Sequence, residues 1–165
     1  MNNSESREAM IAAAYDRHAD MMYRLALSHL QNSEDAADAV QDVFVKFITS
    51  TPEFNTPEHE KAWFIRATVN RCYDLLRRRG VRDYVDLDEI SEVLPDSETL
   101  HDPDERGDVM RLLSLIPEKN RAAVVLHYLE GYSVERTAKA LGIGVSAVKM
   151  RLARAREALR GRLGE

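Results

Sequence analysis

Two stretches of this sequence carry the side chains best suited to chemistry, and in both the chemistry is recognition of phosphate and base. The first runs from Trp63 to Arg79, where Trp63, Phe64 and Tyr73 interleave with Arg66, Arg71, Arg77, Arg78 and Arg79, and Asn70 sits among them. Cations follow a nucleic-acid backbone, while flat side chains and amides offer extruded bases stacking and hydrogen bonds. Trp63 fits a hydrophobic core better than a stacking platform. The second stretch is 145–163. At about 100° per residue, Val145, Val148, Leu152, Ala155 and Leu159 form one apolar stripe. The opposite face holds Ser146, Ala147, Met150 and Arg154, with Lys149 and Arg160 on one flank and Arg151 on the other. Small and methyl-bearing side chains suit thymine methyls, arginine suits guanine, and the flanking cations suit phosphates. An ordinary solvated basic face is the plainer alternative.

Bond-breaking chemistry has no comparable support. The five histidines are scattered, without a pair one helical turn apart or a set of carboxylate partners. His101-Asp102 stands alone in an acidic stretch, and no glycine-rich phosphate loop is present. The single cysteine, Cys72, excludes an internal disulfide and a four-cysteine zinc site, and its apolar neighbours suit a small core residue. The expectation is a protein with no catalytic residues, metal or cofactor.

The elements that must position these groups are helical. Apolar spacing predicts helices from Glu8 to about Ser28, then from Ser33, a candidate cap, to Thr51-Pro52, and from about Glu58 to Arg79, closed by Gly80. Helical pattern returns over Val109–Ile116 and, after Pro117, over Asn120–Glu130, closed by Gly131. Ser133 is placed to cap a short helix through Leu141, and a last helix follows from Val145. No strand pattern occurs.

Charge divides the chain in the same places. Residues 1–80 hold 12 acids and 10 bases, residues 81–108 hold 11 acids and 2 bases, and residues 109–165 hold 5 acids and 11 bases. The local balances of −2, −9 and +6 sum to the overall −5. Such segregation suggests separate parts with separate partners, and the basic end is the DNA candidate. Residues 81–108, with Pro95 and Pro103, read as a tether.

Residues 133–157 have the layout of a helix-turn-helix: Ala138 at the crossing, Gly142 at the tight turn, and Ile143 plugging the turn. Together with Ile116-Pro117-Glu118-Lys119-Asn120-Arg121 and Leu126-His127-Tyr128-Leu129-Glu130-Gly131-Tyr132-Ser133, this segment resembles region 4 of sigma factors, best in the extracytoplasmic-function (ECF) group of the sigma-70 family. Three positions depart from that pattern: Gly144 at the usual cap, Thr137 at a usual large apolar residue, and Met150 at a usual small polar one. Asp35-Ala36-Ala37-Asp38-Ala39-Val40-Gln41-Asp42-Val43-Phe44 similarly resembles the polymerase-gripping helix of sigma region 2.

The resemblance implies an all-α protein of two small helical domains. A region 2 bundle over 8–80 and a region 4 helix-turn-helix over 109–163 would flank an acidic linker over 81–108. It implies a factor that binds RNA polymerase core and directs it to the −10 and −35 elements of promoter DNA. Asp38, Gln41 and Asp42, otherwise readable as a solvated face, become contacts for the β′ clamp helices. Phe54 and Asn55 fall in the −10 specificity loop, Trp63 joins the same −10 surface, Asn70 matches a base-contacting asparagine, and Arg66, Arg71, Arg77 and Arg78 become phosphate contacts. The recognition helix would face the −35 element through Ser146, Ala147, Lys149, Met150, Arg151 and Arg154, with the same domain docked on the β flap. An anti-sigma factor is a further implied partner, and the acidic linker would run toward the RNA exit path. Two other readings remain open on residues alone: a free-standing helix-turn-helix regulator and an adaptor that binds no DNA. No apolar run approaches the roughly 18 residues of a membrane span, and the polar first residues do not resemble a signal peptide. The cytoplasm is the expected location.

Overall fold

A computed structural model describes residues 3–80 and 105–163, with side chains over 4–80 and 107–161. The described residues are helical, with no strand among them. Three long helices make the N-terminal half: α1 (Asn3–Leu30), α2 (Ser33–Ser50) and α3 (Pro57–Arg78). Four make the C-terminal half: α4 (Glu105–Ser114), α5 (Glu118–Val124), α6 (Val134–Leu141) and α7 (Val145–Leu163). A π-helical turn, Val125–Leu129, extends α5. Most of the acidic 81–108 stretch, with its short apolar pieces and His101, lies outside the described residues.

The helix ends follow local chemistry, with one correction to the sequence reading. Asn32, not Ser33, caps α2: its side chain accepts from the Asp35 backbone N–H at 2.9 Å, and Ser33 is already the first helical residue. Glu34 and Asp35 then sit in the first turn, where the helix dipole favours acids. The helix closes at Thr51 in a left-handed conformation, φ 42°. Thr56 caps α3 by accepting from His59 N–H, and Pro57 fills the first turn, where a missing N–H is harmless. Ser133 caps α6 as expected, accepting from Arg136 N–H at 3.0 Å. Helix α1 exceeds its expected length at both ends, because Ser4 to Glu8 favour no turn and the first break comes at Gln31, φ 56°.

Packing follows the apolar stripes. Ala36, Ala39, Val40, Val43, Phe44 and Phe47 of α2 and Phe64, Ile65, Val69, Cys72 and Leu76 of α3 are buried against α1, whose Met22, Leu25 and Ala26 are fully enclosed. In the other half Val148, Leu152 and Ala155 are the buried face of α7, which packs on α5. The two halves do not stand apart. Helix α1 packs on α4, α5 and the π turn, α3 packs on α6, and the buried apolar residues form one continuous cluster.

Candidate nucleic-acid and polymerase interface

The helix-turn-helix is built as its residues require. Gly142 takes φ 72°, a left-handed conformation that glycine reaches without steric penalty, and its N–H donates to Ala138 O at 2.9 Å. Ile143 N–H reaches the same carbonyl at 3.0 Å, so the turn is closed twice. Thr137 is fully buried, but its hydroxyl donates to Ser133 O at 2.8 Å, which removes the penalty of a polar group in an apolar position. With Val148, Leu152 and Ala155 facing inward, Ser146, Lys149, Met150 and Arg154 are exposed, and Ala147 and Arg151 are half-buried. Met150 is 54% exposed, so its thioether is available to whatever the helix meets. Arg151 donates to Lys119 O at 3.2 Å and ties α7 to the start of α5.

The π turn was not legible in the residue pattern. Glu130 N–H bonds to Val125 O, five residues back. The widened turn leaves Tyr128 and Leu129 exposed, with Tyr128 accepting from Arg156 at 3.2 Å, while His127 Nδ1 lies 2.7 Å from Tyr132 O. Such turns frequently mark functional positions.

On the N-terminal half, Asp38, Gln41 and Asp42 are all exposed on one face of α2. Asp42 also accepts from Arg71 Nε at 2.9 Å, so one expected polymerase contact and one expected DNA contact are joined in an ion pair. Asn70, Arg77 and Arg78 are exposed along α3, Arg77 bonding Asp74 and Arg79 bonding Asp35 at 2.5 Å. Phe54 is not splayed outward. It packs within an aromatic group with Phe47 and Trp63, whose ring centroids lie 6.4 and 6.1 Å away, and Trp63 meets Phe64 at 5.0 Å. Trp63 is thus a core residue at the edge of the site. Asn55 is exposed beside this group, its N–H donating to His59 Nδ1 at 3.2 Å.

Next to that loop lies an open cleft of about 640 Å³, lined by Arg17, His18, Phe54, Asn55, Glu60 and Lys61. Glu60 is its organising group. One of its oxygens accepts from Arg17 at 2.7 Å and is 2.5 Å from His18 Nε2. Burial works against ionisation of Glu60, yet the hydrogen bonds from His18 and Arg17 hold its carboxyl below the ordinary value. Burial outweighs the carboxylate at His18, which lies stacked 4.6 Å from Phe64 and titrates below its usual range. The pairing of His18 with Glu60 did not stand out in the sequence, because the partners are 42 residues apart.

Arg66 has the least expected placement. Its guanidinium leaves the N-terminal half and donates from Nη2 to Lys139 O at 2.7 Å and from Nε to Ala140 O at 3.0 Å, at the end of α6. A second group bridging the halves, also absent from the sequence reading, is Arg121. It is buried and donates to Ile116 O at 2.8 Å and to Ser28 O at 3.1 Å, so it ties α5 to the end of α1. Desolvation lowers its pKa to about 10. Beside it His29 is fully enclosed, and burial together with the neighbouring Arg121 lowers its imidazole to about 3. Cys72 is buried with its thiol pushed up to about 12, an unreactive core residue as expected. No cluster of three metal-ligating side chains occurs among the described residues, and none of their helices is long and apolar enough to cross a membrane.

Comparison with known proteins decides the family. Residues 14–82 match the model for sigma-70 region 2, and residues 106–159 match that for sigma-70 region 4. The ECF RNA polymerase sigma factor SigM of Mycobacterium tuberculosis (strain Erdman) is 34% identical over 170 residues, spanning 99% of this chain and 85% of that protein. This chain belongs to the ECF RNA polymerase sigma factors. The sigma factor SigV of Bacillus subtilis is similar as well, 29% identical over 97% of this chain and 95% of its own length. Among solved structures, the sigma factor RpoE of Bartonella quintana, in a co-crystal with the anti-sigma factor NepR, shares the fold with a TM-score of 0.64. Its identity is 22%, over 99% of this chain and 98% of that one.

Proposed function

We propose that this sigma factor recognises both promoter elements while seated on polymerase core, with the chain divided into a region 2 domain (8–80), an acidic linker (81–108) and a region 4 domain (109–163). One observation carries the proposal: the polar face of α7, with Ser146, Lys149, Met150 and Arg154, stands exposed opposite an apolar stripe whose Val148, Leu152 and Ala155 are buried. A helix held this way enters the major groove as a unit, with Arg154 and the small residues toward the base edges of the −35 element and Lys149 and Arg151 toward phosphates.

On the other half, Asn55 and Asn70 border the surface for the −10 strand, and Arg66, Arg71, Arg77 and Arg78 supply its phosphate contacts. The cleft beside Phe54 and Glu60 has room for an extruded base, and Trp63 supports that wall from behind. Asp38, Gln41 and Asp42 are exposed acceptors suited to the basic groups of the β′ clamp helices, while the region 4 domain docks on the β flap. An anti-sigma factor would compete for these polymerase-binding faces. The factor works in the cytoplasm, it performs no chemistry itself, and the polymerase supplies catalysis without a cofactor from this chain.

The test is transcription of genomic promoter fragments by purified core polymerase with and without the chain. Promoter-specific transcripts that require the chain, and a footprint over both elements only in the presence of core, are the expected results. A footprint by the chain alone, with no effect on core, would indicate a free-standing regulator and end the proposal.

A further inference from the structure

We propose that Glu60 selects the base that enters the cleft beside Phe54: its free carboxylate oxygen takes a base with an exocyclic amine, cytosine or adenine, and refuses thymine. The inference rests on that cleft receiving an extruded base of the −10 strand. Glu60 lies in the cleft wall, with 18% of its side chain exposed. Arg17 donates to Oε2 from Nε at 3.1 Å and from Nη2 at 2.7 Å, and His18 Nε2 lies 2.5 Å from the same atom. Three donors share one oxygen. Among the described residues, Oε1 accepts no hydrogen bond.

The protonation of the site is fixed by its surroundings. Burial opposes the charge on Glu60, yet the bonds from His18 and Arg17 hold its carboxyl below the ordinary value. At neutral pH both oxygens are therefore acceptors only. Burial lowers the His18 imidazole and keeps it neutral, so its one proton sits on Nε2, the nitrogen that meets the carboxylate. Its Nδ1 is enclosed without a partner, and Phe64 stacks on the ring at 4.6 Å. Arg17 and His18 are thus positioning residues, since they occupy Oε2 and leave Oε1 as the acceptor for a ligand.

Cytosine and adenine each carry an amine beside a ring-nitrogen acceptor. An edge of that kind suits a carboxylate oxygen with cationic donors in the same lining, here Arg17 and Lys61. Thymine presents O4 where the other two present the amine. A carboxylate oxygen against O4 sets two acceptors face to face with no proton between them, which excludes the wrong base more strongly than it rewards the right one. Phe54, in the same lining, offers a ring to the face of any base and so adds affinity without choice.

The test uses the full chain without polymerase, and single-stranded thymidine heptamers whose central base is cytosine, adenine or thymine. The wild-type chain should bind the cytosine and adenine heptamers about tenfold more tightly than the thymine one, as one base-edge bond to a carboxylate allows. Glu60→Gln keeps the shape of the side chain. Arg17 can only donate, so the amide oxygen stays with it and the NH2 group takes the place of Oε1. The order should then reverse, with thymine bound most tightly. Loss of a negative charge alone would strengthen all three alike. Equal binding of the three heptamers by the wild-type chain overturns the proposal, and so does a Glu60→Gln chain that keeps the wild-type order. Failure of core-dependent transcription would instead overturn the functional reading, since heptamer binding needs no polymerase.

Discussion

The two cationic helices of this sigma factor solve different problems. Helix α7 needs only its own apolar stripe, Val148, Leu152 and Ala155, to hold its polar face outward, so its chemistry is set within one small domain. Helix α3 buries one side in the N-terminal core, carries Asn70 and four arginines on the others, and also receives α6 from the opposite half. The polar face of α7 is open, whereas Arg66 on α3 is engaged by the protein itself. The difference teaches that residue type alone does not make a binding surface. Arg154 and Arg66 are both exposed arginines on amphipathic helices, yet only Arg66 is committed to backbone carbonyls across the molecule.

The largest expected effect tests whether the halves share one core. Phe64 is fully buried and packs on Phe44, Phe47, Trp63 and His18. Phe64→Ala should destabilise the chain by about 3–5 kcal/mol. Calorimetry should show α7 melting together with α3 in one lowered transition; two separate transitions would break the idea of a shared core. Next comes the difference between the two proposed DNA surfaces. Arg154→Ala should weaken duplex −35 binding by about 1–3 kcal/mol, measurable on the chain alone. Asn70→Ala should leave that binding unchanged and appear only in promoter opening by the complete polymerase, since Asn70 lies on α3 and not on the polar face of α7.

A smaller effect concerns the junction. His29 binds its proton near pH 6.5 when unfolded but only at about 3 when folded, because burial and Arg121 exclude the charged form. The unfolded chain then binds more protons over that window, so stability is present above pH 6.5 and lost as pH falls. Between pH 6.5 and 5 the loss should approach about 2 kcal/mol. Denaturant titrations of a His29→Phe variant should show a shallower slope, and an unchanged slope would place the acid sensitivity elsewhere. His18, also lowered by burial, adds to the loss with the same sign. Smallest is the cap of α2: Asn32→Ala should cost about 1 kcal/mol in thermal unfolding, whereas Ser33→Ala should be close to neutral.

The sequence by itself determined the helices and most of their ends, because caps, prolines and apolar spacing act within a few residues. Ser133, Gly142, the stripe of α7 and the aromatic core around Trp63 were all legible on those grounds. The exposed turn of Asp38, Gln41 and Asp42 was legible too, since three polar residues on one face of an amphipathic helix have nowhere else to point. The tertiary structure alone decided which arginines meet water and which meet protein. Arg66 with α6, Arg24 with Glu130, Arg121 with Ser28 and His18 with Glu60 join residues 42 to 106 positions apart. A charged side chain looks the same in sequence whether its partner is solvent, DNA or a helix end. Only the packing of one half on the other, driven by continuous apolar burial, supplies the distances that distinguish them.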